Sequence, residues 1–189
     1  MAGFLFQKMD FTEHGNLSRI LVQTNYMFKT REWEFMRTRE IAKEVSALIE
    51  SVSPFIQSNT DAICPGCREV CCINRHSYHD HQDIVYLCAL GEKMPSHRKD
   101  VDDSDPCQFL GEKGCIVKRS LRPYRCTWFF CTPLLENIRN GPSLHYRRFI
   151  GSLQLITQKR TDMLDEFIKV SREVLLSIGP VYPTATNRA

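Results

Sequence analysis

The stretch "ICPGCREVCC", Ile63 to Cys72, places four cysteines in ten residues, the last two adjacent. Thiols at this density pair with one another, attack a substrate, or hold a metal. The spacing is Cys64-x2-Cys67-x3-Cys71-Cys72, and Pro65-Gly66 suits the tight turn that lets two thiolates converge on one ion. On extended backbone, successive side chains face opposite sides, so Cys71 and Cys72 do not point the same way. Spacing alone does not choose which of the two would ligate.

A second group follows as Cys107-x7-Cys115-x10-Cys126-x4-Cys131. All nine cysteines, Cys88 included, fall between positions 64 and 131, whereas cysteine used as a small buried hydrophobe would be scattered. A disulfide framework belongs to exported small domains. The start, "MAGFLFQKMDFTEHG", lacks the basic n-region and long apolar stretch of a signal peptide. A dithiol redox centre rests on a C-x-x-C at a helix start in a thioredoxin-like setting, a pattern not found around Cys64 and Cys67. Metal binding is the favoured reading, because thiolate is a soft ligand that selects zinc or iron–sulfur over magnesium or calcium.

Outside this window the pattern changes. From Tyr26 to about Ile56, the residues Ile41, Val45, Leu48, Ile49, Val52 and Ile56 repeat at the spacing of one buried helix face. Glu40, Lys43, Glu44 and Glu50 take the other side, and residues 1–25 show no clear periodicity. Helical signals return from Leu144 to Ile178, with Phe149, Ile150, Leu153 and Ile156, then Met163, Leu164, Phe167 and Ile168, then Leu175, Leu176 and Ile178. "SIGPVYP" supplies a Gly-Pro stop before a frayed end. In the centre, "DIVYLC" (Asp83 to Cys88) reads as a short strand. "CQFLGEKGCIV" reads as a hairpin, with Phe109-Leu110 and Ile116-Val117 flanking its turn. That hairpin brings Cys107 and Cys115 towards each other. The loop from Arg98 to Pro106 is acidic, with Val101 as its one apolar anchor.

The expected fold is mainly α, with a small irregular α+β cysteine-rich metal-binding core and N- and C-terminal helices packed around it. Its segments are 1–60, helical; 61–135, the cysteine-cluster core; and 136–189, helical, in one domain overall. A net charge of +3 is too mild to indicate nucleic acid. No apolar run reaches the roughly 18–20 residues that span a membrane. The expected compartment is the cytoplasm.

"CPGCREVCC", "CQFLGEKGCIV" and "LRPYRCTWFFC" occur in this order and resemble the YkgJ-type cysteine-cluster family, described as a zinc- or iron-chelating domain. The resemblance covers about 64–131. It implies that Cys64, Cys67, Cys71, Cys72, Cys107, Cys115, Cys126 and Cys131 are metal ligands, with Arg122-Pro123 as the characteristic dipeptide. Members carry labels such as iron–sulfur oxidoreductase, and a related domain occurs in flagellin lysine methylases. The resemblance implies metal binding without fixing a reaction.

A zinc tetrathiolate or an oxidised four-iron cluster carries a net charge of about −2. Lys113, Lys118, Arg119, Arg122 and Arg125 are the cations at hand. Arg122 is expected to pack against sulfur or cap carbonyls, and the others to sit on a solvated face or meet an anionic partner. His76, His79 and His81 form a polar surface loop or complete a three-cysteine, one-histidine zinc site. Cys88, outside the three blocks, is expected to be a buried thiol on a strand. Trp128, Phe129 and Phe130 are expected to shield the metal.

The expected function is a metal-binding protein holding zinc or an iron–sulfur cluster through eight cysteines, with a redox role as one option. The alternatives are a structural zinc module mediating protein interaction, and a metal-dependent oxidoreductase or transferase. Catalytic residues are unassigned, and the partner is an unidentified small molecule or protein.

Overall fold

The computed structural model describes residues 14–178, apart from 68, 69, 99 and 113. Six α-helices and one two-stranded sheet make up the regular structure there: α1 His14–Thr30, α2 Met36–Ile63, α3 His81–Leu90, α4 Arg125–Trp128, α5 Thr132–Asn140 and α6 Ser143–Ile178, with β1 Leu110–Gly111 and β2 Gly114–Cys115. The chain is mainly helical, as its periodicity indicates. The Gly-Pro stop, the chain end, Lys113 and the side chains of Leu175 and Ile178 lie outside the described residues.

The long central helix α2 buries Ile41, Val45, Ile49, Val52 and Ile56, the face the spacing predicts, with Leu48 half-buried beside them. Pro54 sits inside the helix, where its ring removes one amide donor without ending the run. Its partner is α6. Phe149, Ile156, Met163, Phe167, Val170 and Val174 are buried on that helix. With half-buried Leu153 they follow alternating steps of three and four, the seam of two helices packed side by side. The remaining position in this seam, 160, is an arginine, itself 4% exposed.

Three sequence expectations change. Residues 14–25 belong to α1, and the helical pattern from Tyr26 is broken by a turn at 31–35. No Pro or Gly marks that break. It is set by packing, since the rings of Phe28 and Phe35 both lie against Phe167 of α6, with centroids 5.6 Å away. Arg39 closes the corner, donating to the carbonyls of Phe28 and Ala89 at 3.0 Å each.

The stretch Asp83–Cys88 is helical, not a strand. Asp80 and Asp83 form a reciprocal capping box at the start of α3, and Gly91 ends it in a left-handed conformation at φ 74°. Ile84, Val85, Leu87 and Cys88 are buried on nearly every side of this short helix, which is why its β-branched, non-alternating sequence imitates a core strand.

The acidic loop is also better anchored than its composition indicates. Asn74, 1% exposed, donates through its side chain to the Asp102 carbonyl and through its backbone to the Asp105 carbonyl. Its Oδ1 accepts from the Gln108 amide at 2.8 Å. The predicted hairpin is present: β1 and β2 pair antiparallel, Leu110 with Cys115, and the Ile116 amide extends the ladder by donating to the Phe109 carbonyl. Gly114 takes φ 99°, a conformation open to glycine.

Candidate metal centre

The cysteine groups meet where the C-terminal end of α2, the hairpin and the start of α5 converge. One cavity of about 790 Å³ lies there, and all eight cysteines of the two groups line it. Cys88 does not; it is buried in α3 within the hydrophobic core, on a helix rather than the expected strand. None of the nine is in a disulfide. Ile63, Val70, Phe109, Phe129, Phe130 and Leu134 supply apolar wall between the thiols. Trp128 is 48% exposed and does not line the cavity, whereas Phe130 does and packs on Phe149 at 5.6 Å.

Local structure places each thiol. A short 3-10 turn over Cys64–Gly66 continues α2, and the Cys67 amide donates to the Cys64 carbonyl at 3.1 Å. Past Cys72, an antiparallel bridge joins Ile73 to Pro106, and the Cys107 amide donates to the Cys72 carbonyl at 2.8 Å. Those bonds carry the second group back onto the first. Cys126 lies in α4, and Cys131 is the residue preceding α5.

Cys64 and Cys72 are exposed and the other six are half-buried, so the cavity opens to solvent on one side. Burial, then the neighbouring Cys72 and Cys131, pushes the Cys71 thiol up to about 12. Burial, then Cys115 and Cys72, does the same to Cys126, also to about 12. Cys64 and Cys72 are raised for the same reasons, burial first. Thiolates here repel one another unless a cation stands among them, and a coordinated thiol is deprotonated outright.

Arg122 donates to the carbonyls of Val117 at 2.7 Å and Cys115 at 3.3 Å, the carbonyl-capping role expected of it. Arg119 departs from expectation. It is buried, donating to Ser53 Oγ at 3.1 Å and the Cys126 carbonyl at 3.5 Å. Burial, reinforced by Arg122, brings its guanidinium down to about 10. Lys118 pairs with Glu50 at 3.8 Å on the surface, and Arg125 stacks over Phe129 at 4.8 Å.

The histidines do not form a surface loop. His76 Nδ1 lies 3.2 Å from the Cys71 carbonyl, and His81 opens α3. His79 is 2% exposed, its Nε2 is 3.0 Å from the Leu121 carbonyl, and its buried Nδ1 has no hydrogen-bond partner. Sequence reasoning missed Asn74 and placed Arg119 on a solvated face. Both are polar side chains whose importance comes from distant partners, which local pattern does not reveal.

Among the described residues, no three Cys, His, Asp or Glu side chains are already gathered as a metal-holding group. The donor chemistry nonetheless fits a soft metal: eight thiols, an apolar wall and an open side. Comparison with protein-family models, curated proteins and solved structures finds no significant match to this chain. No helix among the described residues is long and apolar enough to cross a membrane.

Proposed function

We propose that this protein holds a thiolate-bound metal centre, zinc or iron–sulfur, on Cys64, Cys67, Cys71, Cys72, Cys107, Cys115, Cys126 and Cys131. The observation that carries this reading is the convergence of those eight side chains on one cavity while Cys88 stays in the core. The ordered resemblance of these same cysteines to the YkgJ-type cysteine-cluster family is in line with it. Bound zinc would supply a rigid cross-link or a Lewis acid, and a bound iron–sulfur cluster an electron carrier. The chain's own part is to supply thiolates, to cap carbonyls through Arg119 and Arg122, and to limit water with Phe129 and Phe130.

Anaerobic purification followed by metal, acid-labile sulfide and visible-absorption analysis tests this. Iron with sulfide and a reducible visible band assigns a redox role, whereas zinc without colour assigns a structural one. A protein that carries no metal as isolated, and takes up none on anaerobic reconstitution, overturns the reading.

A further inference from the structure

The three histidines behind the first cysteine group are not equivalent. His81 opens α3. His76 and His79 both line the cavity, and a backbone carbonyl fixes the ring of each. A carbonyl only accepts, so the ring nitrogen facing it carries the proton. In the neutral imidazole the other nitrogen then carries the lone pair. For His79 that nitrogen is Nδ1, which is closed off from solvent, and the ring packs edge-on to His97 at 5.7 Å. For His76 the donor is Nδ1, 3.2 Å from the Cys71 carbonyl, so the lone pair falls on Nε2 at the far tip of the ring. His76 is half-buried and touches both cysteine groups. Its ring is bonded to Cys71 of the first, and its own carbonyl oxygen lies 4.0 Å from Cys126 Sγ of the second. The ring also rests against Phe129 of the cavity wall, with centroids 5.5 Å apart.

We infer that His76 is itself a metal ligand of this centre, binding through Nε2 beside the thiolates. The inference rests on the metal-holding function proposed above and adds a nitrogen donor to its cysteines. A histidine that ligates through one ring nitrogen gives its other N–H to a carbonyl, carboxylate or water, which fixes the tautomer and the ring orientation and raises the basicity of the ligating nitrogen. The bond from Nδ1 to the Cys71 carbonyl supplies that arrangement, and it ties the ring to the backbone that carries the Cys71 thiol. Charge favours the same choice. Three thiolates and a neutral imidazole leave a zinc site at about −1, against about −2 for four thiolates, which costs less to hold against an apolar wall.

The test uses the full chain, reduced, loaded with zinc chloride under anaerobic conditions and freed of unbound metal. X-ray absorption at the zinc edge reads the donor atoms, and nitrogen NMR of the imidazole rings reads which histidine is engaged. The expected shell is sulfur at about 2.3 Å with a nitrogen component at about 2.0–2.1 Å. The His76 Nε2 resonance is expected to shift on zinc binding, and the His79 Nδ1 resonance is not. His76→Gln removes the nitrogen component and weakens zinc binding by at least about tenfold, whereas His79→Gln leaves both unchanged. The wild-type spectra carry the test even where His76→Gln fails to fold. A sulfur-only shell overturns the assignment, as does a nitrogen component with the His76 resonances unmoved. No zinc retained at all overturns the underlying metal-holding function instead, so the two failures are distinguishable.

Discussion

His79 and Asp83 lie four residues apart, both nearly fully buried, and they bias stability in opposite directions as pH changes. Burial holds the His79 imidazole down to about 4, against roughly 6.5 in an unfolded chain. Between those values the unfolded chain binds a proton that the native state refuses. Stability from His79 is therefore lost as pH falls through about 6.5 to 4, by on the order of 3 kcal/mol in full. Asp83 accepts from the Tyr124 amide at 3.1 Å and from Arg160 at 2.9 Å, yet burial outweighs them and raises its carboxyl to about 6. Here the native state binds the extra proton, so stability from Asp83 is lost as pH rises through about 4 to 6. Denaturant midpoints measured from pH 4 to 7 separate the two. His79→Gln flattens the acid-side loss, and Asp83→Asn steepens it. An unchanged slope in His79→Gln would rule out the assignment. Arg160→Met leaves the Asp83 carboxyl without its buried partner and costs about 3–5 kcal/mol, measured by urea unfolding.

At the scale of elements, α6 is held to α2 and α1 by a seam that occupies one face of the helix. Phe167 is buried against the Phe28 and Phe35 rings, whereas Leu176, nine residues on, is 82% exposed. Phe167→Ala is expected to lower stability by about 3–5 kcal/mol, and Leu176→Ala to stay within about 0.5 kcal/mol, in the same unfolding assay. Both residues belong to the apolar runs that mark α6 as a helix, but nine residues at about 100° each put Leu176 on the side opposite Phe167, off the seam that still buries Val174. In α3, the caps Asp80 and Gly91 are visible in the sequence while the core-facing, non-periodic middle hides the helix. Capping chemistry was the more reliable signal there, because it reports backbone hydrogen bonding directly.

For the whole molecule, the irregular stretch between α2 and α5 has two kinds of support. One is independent of metal: Asn74 ties the acidic loop, and Ser120 donates its amide to Glu50 of α2 at 3.0 Å. The other, on the proposed function, is the metal itself, since thiolate coordination contributes folding energy outright. Hydrogen exchange before and after chelation distinguishes them. Amides near Cys64–Cys72 and Cys107–Cys115 are expected to lose protection on metal removal, while those of α2 and α6 keep it. Equal protection in both states would mean that the cysteine region folds without metal. The sequence by itself determined the mainly helical class, the buried face of α2, part of that of α6, the hairpin and the two cysteine groups, because periodicity, turn residues and residue spacing are local properties of the chain. Only the tertiary structure decided that α1 and α2 part at 31–35, that Asp83–Cys88 is helical, that Arg119 and Arg160 are buried, and that two distant cysteine groups face one cavity. Those outcomes depend on packing and hydrogen bonds between residues far apart in sequence, which no local spacing encodes.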